Sequence, residues 1–129
     1  MRIDGNSGNN RIKGTEGFDI LAGHGGNDRL FGGRGSDILN GMDGNDKMVG
    51  GYGSDVFVFD DGIDRIVDFK PAFDHILIDS DLGDRNFRQL KHDMSNHHGN
   101  VVIAFNDHDQ LKIKDCHVRD LHAGDFDFF

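Results

Sequence analysis

Apolar side chains recur every nine residues over the first half of the chain. Each one stands two residues after an aspartate, or in the first copy after an asparagine, and each follows a Gly-rich stretch. A three-residue segment with one apolar residue at its centre cannot be a stable strand alone. Stacked on equivalent segments about 4.8 Å away, it becomes one rung of a parallel sheet. The recurring apolar residues are Ile12, Leu21, Leu30, Leu39, Met48 and Phe57.

Glycines and carboxylates keep the same nine-residue register. Six copies of the pattern G-x-x-G-x-D-x-U-x, in which U is apolar, run from Gly5 to Val58, with Asn10 in the aspartate position of the first copy. Two glycines per copy permit positive φ, so each copy is predicted to begin with a tight turn. If successive copies alternate between two facing sheets, the result is an all-β fold, a parallel β-roll with one thin core.

Ordinary strand patterns replace this repeat after Val58. Residues 63–69 and 74–79 are predicted strands around a turn at 70–73, and residues 82–98 are expected to form a loop or a short helix near 87–90. Residues 101–105 and 111–114 are predicted to pair as a hairpin through 106–110. We therefore divide the chain into a repeat array, 5–58, and a β-rich flank, 59–129, that caps the open edge of the roll.

Composition narrows the possible partners. The 129 residues include 19 Gly and one Pro, and the formal net charge of -9 argues against nucleic acid or an anionic membrane as the main partner. No apolar stretch approaches the ~18 residues that a membrane span needs, and no apolar leader for secretion is visible. Cys116 is the only cysteine, which excludes an intrachain disulfide.

The stacked turns create an electrostatic problem that a cation would solve. Asp19 would stack on Asp37 along one side of the roll, and Asp28 on Asp46 along the other, so like charges would repel at close range. Ca²⁺, which takes six to eight oxygen ligands and accepts backbone carbonyls, fits such turns better than Mg²⁺ does.

The array resembles the RTX, or hemolysin-type, calcium-binding nonapeptide repeat family. The resemblance implies that each ion lies between one turn and the next but one, held by both aspartates and by carbonyls of the turns. It implies side-chain ligands at Asn10, Asp19, Asp28, Asp37, Asp46 and Asp55. The implied carbonyl ligands are those of Gly14, Glu16, Gly23, Gly25, Gly26, Gly32, Gly33, Arg34, Gly35, Met42, Gly44, Gly51 and Gly53. Asp64 and Asp68 are further candidates for terminal sites.

The resemblance also implies how many ions bind and what binding does. Ions are expected between Asp19 and Asp37, between Asp28 and Asp46, and between Asp37 and Asp55, with a weaker one at Asn10, for three to five Ca²⁺ in all. The second glycine of the family pattern survives only as Gly33 and Gly51, which affects turn geometry more than ligand number. Folding and calcium binding are then one event, expected at millimolar, extracellular calcium.

The outward residues differ between the two predicted sheets. One sheet carries Arg11, Arg29 and Lys47, and the other carries Ile20, Ile38 and Val56 in the equivalent positions. The cationic column is either a solvated face that moderates the acidic turns or a contact for an acidic polysaccharide. The apolar column is expected to lie under the C-terminal segment, or else to bind a partner or a second copy.

The flank is similar to the segments that follow RTX repeats in serralysin-type proteases and alginate C5-epimerase modules. The similarity lies in residues 52–59, 64–69 and 74–79. The ending LHAGDFDFF resembles a type I secretion signal, although it equally suits an edge strand. With four residues before the first repeat, we expect either the C-terminal module of a secreted protein, linked to an upstream catalytic domain, or a very small secreted protein.

Catalytic motifs are missing from the sequence. There is no H-E-x-x-H, and His97 and His98 lie in a polar stretch without a paired carboxylate. The chain is therefore predicted not to be an enzyme. The first interpretation is a calcium-triggered folding and secretion module, the second a carbohydrate-binding or enzyme-modulating module. A small hydrolase that uses the His cluster is the third.

Overall fold

Two facing β-sheets run the length of the molecule. The computed structural model describes residues 1–129, and nearly all of its regular structure is strand. The strands are β1 (Arg2–Asp4), β2 (Arg11–Lys13), β3 (Ile20–Ala22), β4 (Arg29–Phe31), β5 (Ile38–Asn40), β6 (Lys47–Val49), β7 (Val56–Phe59), β8 (Ile63–Ile66), β9 (His75–Ile78), β10 (Met94–His97), β11 (Asn100–Ala104), β12 (Gln110–Ile113) and β13 (Phe126–Phe128).

Successive copies of the repeat alternate between the two sheets. One sheet has the order β1-β3-β5-β7-β9-β13, and the other has the order β10-β11-β12-β8-β6-β4-β2. Within the array every pairing is parallel and joins residues eighteen apart, such as Leu21 with Leu39 and Leu30 with Met48. The predicted parallel β-roll, with one coil for every two copies, is therefore confirmed.

The central residue of each rung points into a single core. All six predicted core residues are buried, and five of them, Leu21 to Phe57, are fully inaccessible to solvent. The same cluster continues into the flank through Phe59, Ile66, Ile76, Leu90, Ile103 and Phe126. The flank thus shares one core with the array.

The parallel stacking extends beyond the six copies at both ends. Residues 2–4 form β1, which pairs with β3 ahead of the first Gly-rich turn. Past Val58, β8 pairs with β6 and β9 pairs with β7, both in parallel. Then β12 joins β8, and β13 joins β9, again in parallel. One sheet therefore ends on β13, and the other is extended past β12 by the antiparallel strands β11 and β10.

The rest of the flank agrees in part with the sequence pattern. A helix, α1 (Phe87–His92), occupies the region where a short helix was allowed. The predicted hairpin forms as an antiparallel pair, β11 with β12. The expectation of a loop or helix throughout 82–98 is wrong for its second half, because Met94–His97 forms β10 on the free side of β11. The sequence pattern did not predict β10 because its residues are mostly polar, and an exposed edge strand needs little apolar alternation.

The outer faces of the sheets carry the two predicted columns. Arg11, Arg29 and Lys47 stand in register, and the column continues through Arg65 to Lys112. On the other sheet, the column of apolar residues at Ile20, Ile38 and Val56 is only half-buried. The expectation that the C-terminal segment covers it is wrong, because β13 adds to the end of this sheet beside β9 and does not cross its face. Neither α1 nor any other helical turn is long and apolar enough to cross a membrane.

Candidate calcium sites

The aspartates of the repeat stand in two columns, one along each side of the roll. The backbone N–H of Asp19 donates to Oδ1 of Asp37 at 2.8 Å, and Asp37 donates in the same way to Asp55 at 2.9 Å. On the other side Asp28 donates to Oδ1 of Asp46 at 2.8 Å. The eighteen-residue register thus brings the side chains together in the pairs that the sequence predicted.

The second oxygen of most of these carboxylates has no partner. Oδ2 of Asp28, Asp37, Asp46, Asp55 and Asp64 is buried and makes no hydrogen bond. The five side chains are 1–3% exposed. A buried carboxylate oxygen without a donor is strongly unfavourable, so each one marks a place for a cation.

Burial and mutual repulsion both disfavour the charged form of these groups. Burial, followed by the charges of Asp74 and Asp37, raises the pKa of Asp55 to about 6 from its ordinary value of 3.8. Burial, with the charges of Asp28, Asp61 and Asp60, raises the pKa of Asp46 to about 7. Burial also raises the pKa of Asp28 and of Asp37. These carboxylates therefore need either a proton or a metal ion at neutral pH.

Backbone carbonyls converge on the same places. A methyl group added to Gly23 would lie 2.5 Å from Oδ2 of Asp28 and 2.8 Å from the carbonyl oxygen of Gly41. One added to Gly32 would lie 2.6 Å from both Oδ2 of Asp37 and the carbonyl of Gly50. Gly14, Gly23 and Gly32, the first glycines of the second to fourth copies, thus leave open a space that an aspartate oxygen and a carbonyl from two copies later both face. Such a cradle suits an oxygen-seeking cation.

The predicted carbonyl ligands belong to these stacked turns, with exceptions. The carbonyl of Gly32 lies with Oδ2 of Asp19 beside Gly14, as the predicted pairing of turns requires. The carbonyl of Gly33, by contrast, already accepts a hydrogen bond from the N–H of Tyr52 at 3.0 Å. The carbonyls of Gly41 and Gly50 face the cradles but were not predicted. The nine-residue spacing that identified Gly14, Gly23 and Gly32 identifies them equally well.

Substitution of the second glycine does not prevent the turn. His24 has φ 69° and Met42 has φ 63°, the left-handed conformation that Gly33 and Gly51 adopt at the equivalent positions. Asn6 and Thr15 take another route, since the N–H of each donates to the side chain at the aspartate position of its own copy, Asn10 or Asp19. The departures from the family pattern therefore alter the local conformation but keep the stacking.

The N-terminal end of the array differs from its middle. Oδ1 of Asn10 accepts from Asn6 at 2.7 Å, so the amide is engaged in its own turn. Asp19 accepts hydrogen bonds from Thr15, and its Oδ1 lies 3.4 Å from the ammonium group of Met1. Burial acts to raise the pKa of Asp19, but the hydrogen bonds from Thr15 and the Met1 ammonium lower it overall. These two positions need a cation less than the aspartates that follow them, whose Oδ2 atoms have no hydrogen-bond partner.

The columns continue into the flank through two further aspartates. Asp46 donates to Oδ1 of Asp64 at 2.8 Å, so Asp64 extends its column as predicted. Asp55 donates to Oδ1 of Asp74 at 2.9 Å. Asp74 was missed because it lies nineteen residues after Asp55, one more than the period. The spacing from Asp74 to Ile76 preserves the D-x-U part of the repeat and is the signal that could have identified it.

The last turn, which precedes β9, contains a positively charged side chain, that of Lys70. Asp68 accepts from Gly50 at 2.8 Å and from Gly51 at 2.7 Å, so both of its oxygens are already used. The ammonium of Lys70 donates to the carbonyl of Gly51 and lies 3.9 Å from Oδ2 of Asp74. Oδ2 of Asp74 also accepts the N–H of Lys70. Asp74 is therefore satisfied without a metal ion, unlike the aspartates below it.

The donor set as a whole fits Ca²⁺ and no softer metal. Three or more His, Cys, Asp or Glu side chains do not converge in a metal-binding group anywhere in residues 1–129. A bound ion would therefore be held by one or two carboxylates and completed by backbone carbonyls. Calcium accepts such a set, whereas zinc sites require three or four side-chain ligands.

Comparison with known proteins gives the same assignment. Residues 4–39 and 32–66 match the RTX calcium-binding nonapeptide repeat family. No curated protein sequence is significantly similar to the chain.

Solved structures with the same fold include parts of two enzymes. The AlgE6R3 subunit of the mannuronan C5-epimerase from Azotobacter vinelandii is 26% identical, with a TM-score of 0.70 over 94% of this chain and 79% of its own. The AlgE6R2 subunit of the same epimerase is 24% identical, with a TM-score of 0.77 over 99% of this chain and 92% of its own. The extracellular lipase LipA from Serratia marcescens is 20% identical, with a TM-score of 0.78 over 97% of this chain but 20% of the lipase.

The family match and the geometry concern the same residues. The stacked turns, the two columns of aspartates and the glycine cradles all lie within or directly after residues 4–66. Residues 4–66 are therefore an array of RTX calcium-binding nonapeptide repeats and belong to that family.

Proposed function

We propose that this chain is a calcium-triggered folding module of a type I secreted protein, disordered in low calcium and ordered outside the cell. The observation that carries the proposal is the set of five buried, unpartnered Oδ2 atoms in the stacked turns. No hydrogen-bond donor of the chain reaches any of these five oxygens. A divalent ion supplies the missing partner, so binding and folding become one process.

The pairs of turns define the ions that we propose. Three lie between Asp19 and Asp37, between Asp28 and Asp46, and between Asp37 and Asp55. A weaker ion lies at Asn10, because the amide of Asn10 lacks charge. The carboxylate of Asp64 adds a fifth place above Asp46. Three to five calcium ions thus bind per chain, and they offset much of the net charge of -9.

A calcium titration tests this proposal directly. Circular dichroism and calorimetry on the same samples should show a cooperative gain of β-structure at millimolar calcium, with three to five ions bound. Magnesium at equal concentration should order the chain far less, because its small octahedral shell suits carbonyl-rich turns poorly. A chain that binds no calcium, or that binds it without any gain of structure, would refute the proposal.

The flank has a separate proposed role. Residues 59–129 cap the array 5–58, and residues 121–129 act in secretion. In support, β12 and β13 extend the two sheets in parallel beyond the array, and their side chains enter the shared core. A chain cut after residue 58 should then fail to order at calcium concentrations that order the full chain. If the cut chain orders equally well, the capping role is wrong.

A second candidate function is favoured by the column of cations. Arg11, Arg29, Lys47, Arg65 and Lys112 stand on consecutive strands, about 4.8 Å apart. They line an open groove of about 760 Å³ together with the amides of Asn27, Asn45 and Gln110 and the carboxylates of Asp28, Asp46 and Asp64, which bound calcium would neutralise. Regularly spaced cations beside amides suit a linear acidic polysaccharide, and the AlgE6R3 subunit belongs to an enzyme that acts on one.

This second candidate is tested by reversing charge within the column. The calcium-saturated double variant Arg29→Glu/Lys47→Glu should lose retention on an alginate gel, and Lys91→Glu on α1 should keep it. Binding of the unmodified chain should weaken as salt is added. Equal retention of both variants would exclude the column as the binding surface.

A further inference from the structure

A seventh, degenerate copy of the repeat follows the six recognised ones. Gly62, Asp64 and Ile66 lie nine residues after Gly53, Asp55 and Phe57, but aspartates occupy the second and third positions of the turn. Gly62 has φ 79°, as the glycines of the regular turns do. The turn 59–64 stacks on the turn 41–46 of the fifth copy, and we refer to these two segments as the terminal turn pair.

Two side chains in the terminal turn pair are almost completely buried and lack a partner. Asp46 is 3% exposed and Asp64 is 1% exposed. One oxygen of Asp64 accepts the N–H of Asp46, but Oδ2 of each residue makes no hydrogen bond. The two Oδ2 atoms therefore mark a site for a cation, and this observation does not depend on the other acidic residues nearby.

Three more carboxylates surround this pair. Asp60 and Asp61 each have a buried Oδ1 without a partner. The carboxylate of Asp43, in the stacked turn, repels that of Asp61. The carboxylates that repel Asp64 are those of Asp46, Asp60 and Asp61. Four of the chain's eight buried carboxylate oxygens that lack a hydrogen-bond partner therefore lie in the terminal turn pair. The negative charge is thus denser here than at the interior turns.

The opposite side of the roll ends differently. There the ammonium of Lys70 reaches the carbonyl of Gly51 and approaches Asp74, whose Oδ2 has protein donors. No aspartate of the terminal turn pair takes part in an ion pair within the chain. One column therefore ends on a lysine and the other on an accumulation of carboxylates.

We propose that the terminal turn pair is the tightest calcium site of the chain and fills first, with Asp46 and Asp64 as ligands and Asp43, Asp60 and Asp61 as the charges that raise its affinity. Calcium affinity of a turn rises with the number of carboxylates around the ion. The neighbouring acids need not all touch the ion, since each lowers the potential in a poorly solvated space. This inference rests on the proposed calcium-dependent folding.

The test compares neutral variants of the full chain by calcium titration. Ordering is followed by circular dichroism, and bound calcium is measured by equilibrium dialysis. In the double variant Asp60→Asn/Asp61→Asn the tightest class of sites should weaken by roughly tenfold or more, and the ordering midpoint should move to higher calcium. Asp43→Asn should move it in the same direction by less. Asp107→Asn, in the exposed hairpin loop, removes the same charge and should leave the midpoint unchanged.

The direction in which the ordering midpoint moves shows whether the acidic residues of the terminal turn pair strengthen a calcium site or serve no cation. If the acids serve no cation, their removal relieves repulsion, so the midpoint stays or falls, and the proposal is overturned. If the double variant never orders, Asp43→Asn decides the question, because the side chain of Asp43 is exposed. A shift of its ordering midpoint to higher calcium supports the proposal, and an unchanged midpoint overturns it. If the unmodified chain does not respond to calcium, the proposed function fails instead.

Discussion

Removal of calcium at pH 7.5 should disorder the chain, and lowering the pH of the calcium-free protein should restore much of the order. The perturbation acts on Asp46, Asp55 and Asp64, which are nearly inaccessible to solvent and have pKa values raised to about 7, 6 and 9. Their pKa in an unfolded chain is near 3.8. Because the folded-state value is the higher one, protonation favours the folded state, and stability is lost as the pH rises through the folded pKa values.

The size of the effect follows from the shifts. For each group, the free energy of unfolding falls by about 1.4 kcal/mol for every pH unit above the unfolded pKa, until the pH reaches the folded pKa. At pH 7.5 the three groups together oppose folding by on the order of 10 kcal/mol, which is as large as the whole stability of a typical domain. At pH 5 the same groups oppose it by roughly 5 kcal/mol. Bound calcium removes this free-energy cost at neutral pH because it neutralises the carboxylates, as a proton does at low pH.

The assay is the dispersion of amide proton NMR signals, with circular dichroism in parallel. Calcium-saturated protein at pH 7.5 should be well dispersed, and calcium-free protein at pH 7.5 should be collapsed and exchange rapidly. Calcium-free protein at pH 5 should lie between the two. Identical dispersed, protected spectra with and without calcium at pH 7.5 would refute the reasoning, and so would a calcium-free chain that loses structure on acidification from pH 7.5 to 5.

Further predictions concern single positions. Asp37→Asn removes a carboxylate that two proposed ions share, so it should lower the cooperativity of the calcium titration, whereas Asn10→Asp should tighten the weakest site; equal effects on cooperativity would contradict the stacked pairs. Gly35→Ala should destabilise the calcium-bound fold by about 1–3 kcal/mol in thermal melts, because φ is 88° and the methyl would lie 2.7 Å from the carbonyl of Gly17. Gly17→Ala, with open space around it, is the matched control and should change little. Lys70→Met should let the last turn accept one more calcium, which equilibrium dialysis would count; an unchanged count would show that the ammonium does not take the place of an ion.

The interior of the array follows from the sequence because every requirement there is local and repeated. A turn of fixed length needs glycine at two positions, a rung of three residues needs one apolar side chain, and a register of eighteen then stacks Asp19 on Asp37 without further information. The predicted sheets, core and aspartate pairs depend on nothing else, and all were observed. The preference for calcium also follows from residue type, because carboxylates and Gly-rich carbonyls are its usual ligands.

Tertiary structure decided what happens at the ends, where the period fails. Asp74 joins its column only because the turn before it is one residue longer, and Lys70 meets the carbonyl of Gly51 across nineteen residues. The polar strand β10 exists because β11 offers it an edge, and β13 ends its sheet and leaves the column of Ile20 uncovered. Such contacts join residues far apart in sequence and depend on how the last coil closes, a matter that no short-range pattern of side chains specifies.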